Sequence, residues 1–562
     1  MPTRYLALLC TISLTLIAAC SSGEQNWPPS MGQLNQEDVA EISAELHQHI
    51  AVLAADAYQG RAPATAGEQL TITYLEQQFK RAGLAPGNGD SYFQQVPVTE
   101  LVTDQNISLA IKGAAFETAL HYGDAMVVST DQQVATTALS ASELVFVGYG
   151  IVAPERDWDD YAGLDVRGKT VVILVNDPGY ATKDPNLFNG NTMTWYGRWM
   201  YKFQEAARQG AAGALIVHDT AAAAYGWDVV YNSWSVPRIG LTAADLNADK
   251  SEVIGWLSQD SARTLFAGAG LNYDDQVAAA AKPGFRALPL GDLTASITLN
   301  NTLRPSSSNN VIGIIPGASR PNETIIYTAH WDHLGVNPKV EGDNIYNGAK
   351  DNASGTAALL SLARLFKKLP QVPERSVVFL AVTAEESGML GSQWYGENPI
   401  FPLATTVANI NMDGLSVSGP MRDMVVVGYG NSELEDYLRK AVVHQKGRYI
   451  AQEPHPERGS YYRSDHFNFA RQGVPALYAK SGEDSLDYGL AWGAQQAQHY
   501  TDTRYHSPLD EYDPSWDLTG AALDIILYYD IGLQLSMETG FPNWLPGNEF
   551  KDIRDATSAA RQ

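Results

Sequence analysis

Three stretches of the chain differ in how their apolar residues are spaced. From about Gln36 to Gly83, Val39, Ile42, Leu46, Ile50 and Leu53 recur three or four residues apart, the period of one helical face. Tyr74, Leu75 and Phe79 continue it towards Gly83, which predicts a second helix closed by a glycine. The intervening Gln59-Gly60-Arg61-Ala62-Pro63 reads as a loop. From about Glu143 to Asp219 the pattern changes to short apolar runs at 144–147, 171–175 and 215–217, with a helix expected over 200–209 and ended by Gly210. That succession predicts a small α/β unit. From about Asn310 to Met537, strand signals at 325–329, 377–382, 407–411, 425–427 and 476–478 alternate with helical ones, including 358–369 before Pro370. Such alternation predicts an α/β fold with a mixed, mostly parallel sheet flanked by helices.

The polar residues of the third region gather where its strands stop. His330-Trp331-Asp332 ends the first strand, Asp351-Asn352 precedes a helix, Glu385-Glu386 ends the second strand, Asn411-Met412-Asp413 ends the third, and Tyr505-His506 follows 93 residues after Asp413. The carboxyl edge of an open α/β sheet is where ligands collect. Two imidazoles and several carboxylates there form the mixed nitrogen and oxygen donor set that suits a pair of zinc ions. Glu385, beside Glu386, is a candidate general base. Asp332, two residues beyond His330, is positioned for its carboxylate to accept from the second ring N–H. His333 is out of phase for a strand-end ligand and is left out of the set. Gly148-Tyr149-Gly150 lacks the following helix of a dinucleotide site, and Ser354 lacks a nucleophile-elbow frame.

Together these motifs resemble the clan MH zinc aminopeptidases, the family of bacterial leucyl aminopeptidases and glutamate carboxypeptidase II. The likeness extends to the "GRAPATAGEQ" segment and to the middle region. There, Gly168-Lys169-Thr170-Val171-Val172 and the run "AARQGAAGALIV" resemble a protease-associated domain inserted into the catalytic one. The resemblance implies that His330 and Asp413 hold one zinc, Glu386 and His506 the other, and Asp351 bridges them. It also implies Glu385 as base, Asp332 behind His330, a cis peptide at Asp351-Asn352, and Tyr505 as an oxyanion donor. Arg463-Ser464-Asp465-His466 resembles a motif near the site in relatives, which places Asp465 or His466 in the substrate pocket. The implied activity is release of N-terminal residues from peptides. A carboxypeptidase or dipeptidase of the same fold is the alternative, ahead of a glutaminyl-cyclase-like or receptor-like relative. The insertion before His330 favours the aminopeptidase, and the full ligand set disfavours a receptor.

The N-terminus adds a location. Arg4 and the apolar stretch 5–18 form an export signal too short to span a bilayer, and Ile17-Ala18-Ala19-Cys20 resembles a bacterial lipobox. Cys20 becomes the lipidated first residue of the mature chain, on the outer membrane or facing the periplasm; a secreted protein is the alternative. Cys10 lies inside the signal, so the mature chain has no partner cysteine for Cys20. The expected layout is a signal over 1–19, lipidated Cys20 with a tether to 34, the first part of the catalytic domain over 35–135, the insert over 136–290, the main catalytic part over 291–540, and a C-terminal tail over 541–562. Of the 562 residues, 63 are acidic and 38 basic, a net charge of −25. No basic stripe is available for phosphates, which removes nucleic acid as a partner. Peptides remain as substrates, with the membrane reached only through the lipid.

Overall fold

The computed structural model describes residues 36–561, so the signal over 1–19 and Cys20 with its tether lie outside the described residues. Among the described residues, no helix is long and apolar enough to cross a membrane. Two sheets share one strand. Leu288–Ile315 runs 28 residues, and its two halves pair with different neighbours.

The C-terminal half of that strand belongs to the sheet of the third region. In spatial order the strands are Arg238–Leu241, Phe93–Thr103, Leu288–Ile315, Arg375–Val382, Arg320–His330, Thr406–Asn411, Ala476–Ser481, Asp423–Val427 and Tyr449–Gln452. The four from Arg375–Val382 to Ala476–Ser481 are parallel, with antiparallel pairings on either side. All eight residues of Arg375–Val382 are buried, as expected of a strand covered on both faces. On one face Ile325, Tyr327 and Ala329 pack with the buried stripe Ile42, Leu46, Ile50 and Leu53 of helix Gln36–Leu53, and with helices Ala66–Ala82, Ser354–Lys367 and Thr519–Met537. On the other, Ile326, Val378 and Leu380 meet Tyr395 and Phe469. Helix Ala66–Ala82 starts at Thr65, whose hydroxyl accepts from the Glu68 N–H, and ends at Gly83 with φ 79°, where a side chain would be strained.

The N-terminal half of the shared strand joins a second sheet. Its order is Glu117–His121, Ser108–Lys112, Leu288–Ile315, Thr136–Phe146, Thr170–Leu174, Gly213–Val217, Val253–Leu257 and Met126–Ser129. This unit begins just after Thr103, because Ser108–Lys112, Glu117–His121 and Met126–Ser129 contribute Leu109, Ile111, Leu120 and Met126 to its core. The expected start at 136 is therefore too late, and the end near 290 too early. Two of these strands form a hairpin with exposed alternate residues, so they lack the continuous apolar runs of the buried strands. The change of sheet falls at Asn301, which pairs with Thr103 in the middle of an unbroken strand. The expected tail over 541–562 also needs correction. Trp544 is buried and donates to the Gly473 carbonyl, and buried Arg554 donates to the Thr406 carbonyl.

Asp530, on helix Thr519–Met537, is 2% exposed and has one carboxylate oxygen without a partner. Burial pushes its pKa up to about 7. Below pH 4 the acid is neutral whether the chain is folded or not, and above pH 7 folding holds an ionised carboxylate out of water. The destabilisation therefore grows between those limits and reaches on the order of 4 kcal/mol. An asparagine amide left unpaired costs about 1–2 kcal/mol in return. Asp530→Asn is expected to raise stability by about 2–3 kcal/mol at pH 8 and to give no gain at pH 4, as read by thermal melts at the two pH values.

Candidate metal centre

Three neighbouring parallel strands deliver side chains to one edge. Arg320–His330 ends in His330, Arg375–Val382 is followed by Glu385 and Glu386, and Thr406–Asn411 is followed by Asp413. Asp351 precedes helix Ser354–Lys367, and its peptide bond to Asn352 is cis, as the resemblance implies. His506 follows helix Leu490–Thr503 with φ 52°. The fold thus brings all five expected ligands and Glu385 together.

Asp351 lies between the two imidazoles. Its Oδ1 is 3.3 Å from His330 Nε2 and its Oδ2 is 3.4 Å from His506 Nε2. His330 Nε2 is also 3.4 Å from Asp413 Oδ1, and His506 Nε2 is 3.1 Å from Glu386 Oε2. Glu385 Oε2 stands farther off, 4.0 Å from His330 Nε2. Donor atoms of His330, Asp351 and Glu386 all fall within 4.8 Å of one another.

Burial and charge drive neighbouring carboxyls apart. Burial pushes Glu385 well above the ordinary carboxylate range; His330 opposes this, while Asp465, Asp413 and Glu386 add to it. Burial acts on Glu386 in the same sense, but His506 and His333 overcome it and hold Glu386 down at about 2. Asp351 is buried too, yet hydrogen bonds from His330 and His506 keep it well below its usual value. Burial lowers both imidazoles, and the surrounding carboxylates more than reverse this. Adjacent carboxyls split in this way are suited to different roles, one fixed as an anion and one able to carry a proton.

The supporting contacts depart from expectation in three places. The expected bond from the His330 ring to the Asp332 carboxylate is replaced by a shorter contact: Nδ1 is 3.2 Å from the Asp332 backbone carbonyl and 3.8 Å from the carboxylate. The carboxylate instead accepts from the backbone N–H groups of Glu385, at 3.1 Å, and Glu386, at 3.3 Å, fixing the turn that carries both. His333 does belong to the cluster, with Nδ1 2.6 Å from Glu386 Oε1. Strand alternation could not locate it because the strand ends at His330. Asp465 and His466 do not line a pocket, since both are 0% exposed. Asp465 accepts from Ser392 Oγ, while the His466 ring packs between Tyr461 and Tyr478.

The remaining contacts hold the ligand-bearing loops. Ser464 Oγ donates to Asp413 Oδ2 at 2.7 Å. Buried Asp510 accepts from the backbone N–H groups of Lys350 and Asp351 and from the Tyr500 hydroxyl. Arg61 is buried, and its guanidinium donates to the carbonyls of Leu53, Trp331, Asn347 and Gly348. Tyr505 is half-exposed and its ring stacks on His506 at 3.9 Å between centroids.

Nitrogen and carboxylate oxygen donors of this kind suit zinc, whose sites accept both. Residues 310–530 match the model of peptidase family M28. Over 140 residues the chain is 37% identical to aminopeptidase NAALADL1 of Mus musculus, a match covering 23% of this chain and 17% of that protein. Over 114 residues it is 34% identical to aminopeptidase YwaD of Bacillus subtilis, covering 20% of this chain and 23% of the relative. The matched stretches thus span less than a quarter of either relative's length. The aminopeptidase structure from Aneurinibacillus sp. strain AM-1 aligns over 91% of this chain and 97% of its own, at 19% identity and a TM-score of 0.49. The segment that matches the peptidase family M28 model, 310–530, is also the one that supplies both imidazoles and every carboxylate of the cluster.

Proposed function

We propose that the protein is an exported zinc exopeptidase that releases N-terminal residues from peptides. The observation that carries this reading is the placement of Asp351, one carboxylate oxygen towards His330 and the other towards His506. His330, Asp351 and Asp413 would hold one zinc ion, and Asp351, Glu386 and His506 a second. When bound, zinc supplies positive charge that acidifies a water and polarises the scissile carbonyl.

Glu385 takes the proton of the attacking water and passes it to the leaving amine. Its greater distance from His330 and its raised proton affinity support that role. Asp332 acts on Glu385 from behind, through the backbone N–H it accepts from. The half-exposed Tyr505 is the donor to the developing oxyanion. Export as a lipoprotein anchored at Cys20, on the outer membrane or facing the periplasm, and assignment of the inserted sheet as a protease-associated domain complete the proposal.

Metal analysis of the purified protein is expected to give about two zinc ions per chain; one tightly held ion per chain would overturn the paired site. Aminoacyl amides are expected to be cleaved and N-blocked dipeptides spared. The reverse preference would make the enzyme a carboxypeptidase.

A further inference from the structure

His333 is outside the proposed ligand set, yet it is buried beside it. The residue is 1% exposed, and its Nδ1 lies 2.6 Å from Glu386 Oε1. The acceptor is a carboxylate, so Nδ1 carries the hydrogen, and a short bond to an ionised partner is among the stronger kinds. The other oxygen of Glu386 is turned to His506 Nε2 at 3.1 Å. The residue before His333 holds the same glutamate by its main chain, since the Asp332 carboxylate accepts from the Glu386 N–H at 3.3 Å. Adjacent residues thus grip Glu386 at its backbone and at its side chain.

The His333 ring also meets two further ligand-bearing segments. It faces the His506 ring edge-on, with centroids 5.8 Å apart. It lies against Gly348, which has φ 53° and where a Cβ would collide with the ring. Gly348 leads into Asp351, and its carbonyl is held by Arg61. Among the described residues, His333 Nε2 is buried without a hydrogen-bond partner. An apolar side chain would fill the same space without an orphaned nitrogen, so the imidazole is accounted for by its single donor. The segments around it carry Asp351, Glu386 and His506, the three residues proposed for the second zinc. The first site has its own supports: Ser464 Oγ holds Asp413, and the Asp332 carbonyl is 3.2 Å from His330 Nδ1.

We infer that His333 is a positioning residue for the second zinc, fixing the Glu386 carboxylate through Nδ1–H and setting the affinity of that ion apart from the first. A hydrogen bond to a ligating carboxylate orients it before the metal arrives. Without the donor, Glu386 Oε1 would be buried and unpaired, and its side chain free to turn from His506. The inference rests on the paired-zinc reading, so its test reads metal affinity and separates the two.

Competition of the holoenzyme against a chelator, followed by metal analysis, measures the affinity of each zinc ion. His333→Leu keeps most of the volume and removes the donor. It is expected to weaken one ion about 10- to 100-fold and to leave the other as in the parent. His333→Asn sets an amide N–H where Nδ1 stands, and is expected to keep both ions near the parent's affinity. His333→Gln, whose amide is one carbon farther out, is expected to follow His333→Leu and carries the comparison should the leucine variant fail to fold. Two ions held as in the parent by the leucine and glutamine variants would overturn the inference. Equal weakening of both ions, or an asparagine variant no better than the glutamine one, would overturn it too. Were the parent to hold one ion, weakened in His333→Leu and kept in His333→Asn, the role of His333 would stand and the paired site would fall.

Discussion

Glu385→Gln is expected to keep the zinc content of the parent and to lower kcat by about 10²- to 10⁴-fold, the usual contribution of a positioned acid–base group. Glutamine preserves the volume of the side chain and its place on the turn, because Asp332 holds that turn through the backbone N–H groups of residues 385 and 386. What it removes is the capacity to accept a proton and release it. The metal donors should be little affected, since Glu385 is 4.0 Å from His330 Nε2 while Asp351 and Asp413 are at 3.3 and 3.4 Å. Metal analysis and turnover of an aminoacyl amide on the same preparation check the pair of outcomes. Activity near that of the parent would end the general-base assignment. Loss of zinc together with activity would move Glu385 from base to ligand.

His330, Glu385, Glu386 and Asp413 were legible in the sequence for a physical reason. Each lies where a strand buried on both faces stops, and a run of apolar residues ending abruptly in carboxylates or imidazole marks such an edge without any structure. Asp351 and His506 lie before and after helices, and motif resemblance located them. Two of the residues that escaped, Asp510 and Arg61, act through the backbone. Asp510 reaches the Asp351 amide from 159 residues away, and Arg61 reaches the Asn347 carbonyl from 286 residues away. A main-chain partner leaves no residue type or spacing to recognise. Asp465 and His466 failed in the opposite direction: the motif is adjacent to the site in sequence through Ser464, but burial turns its last two side chains into the core. The domain boundary was lost because the chain changes sheet inside a single strand at Asn301, without any break in the pattern.

Arg61 is the missed residue with the largest expected effect on stability. It lies on a tight turn, where Gln59, Gly60 and Arg61 all have positive φ and a Cβ on Gly60 would come within 2.4 Å of the Tyr346 carbonyl. From there its buried guanidinium satisfies four carbonyls at 2.6–2.8 Å: Leu53 at the end of the first helix, Trp331 beside His330, and Asn347 and Gly348 just before Asp351. Burial lowers its pKa to about 10, with Asp332, Asp510, Asp351 and Glu386 pulling the other way, so it remains charged at neutral pH. Arg61→Met keeps much of the volume and strips the donors from all four carbonyls, at a cost of about 3–5 kcal/mol. The melting temperature is expected to fall by on the order of 5–10 °C. Arg61→Lys should recover little, because a single ammonium cannot span carbonyls that the planar fork reaches on several sides. Lys80→Ala is the control: its pairing with Glu76 is exposed and i,i+4, worth no more than about 0.5 kcal/mol. Because Arg61 ties the Asp351 loop to the His330 strand end, zinc affinity measured below the melting transition is expected to weaken in Arg61→Met and to be unchanged in Lys80→Ala. A variant at position 61 that melts with the parent would show that water or other donors satisfy those carbonyls.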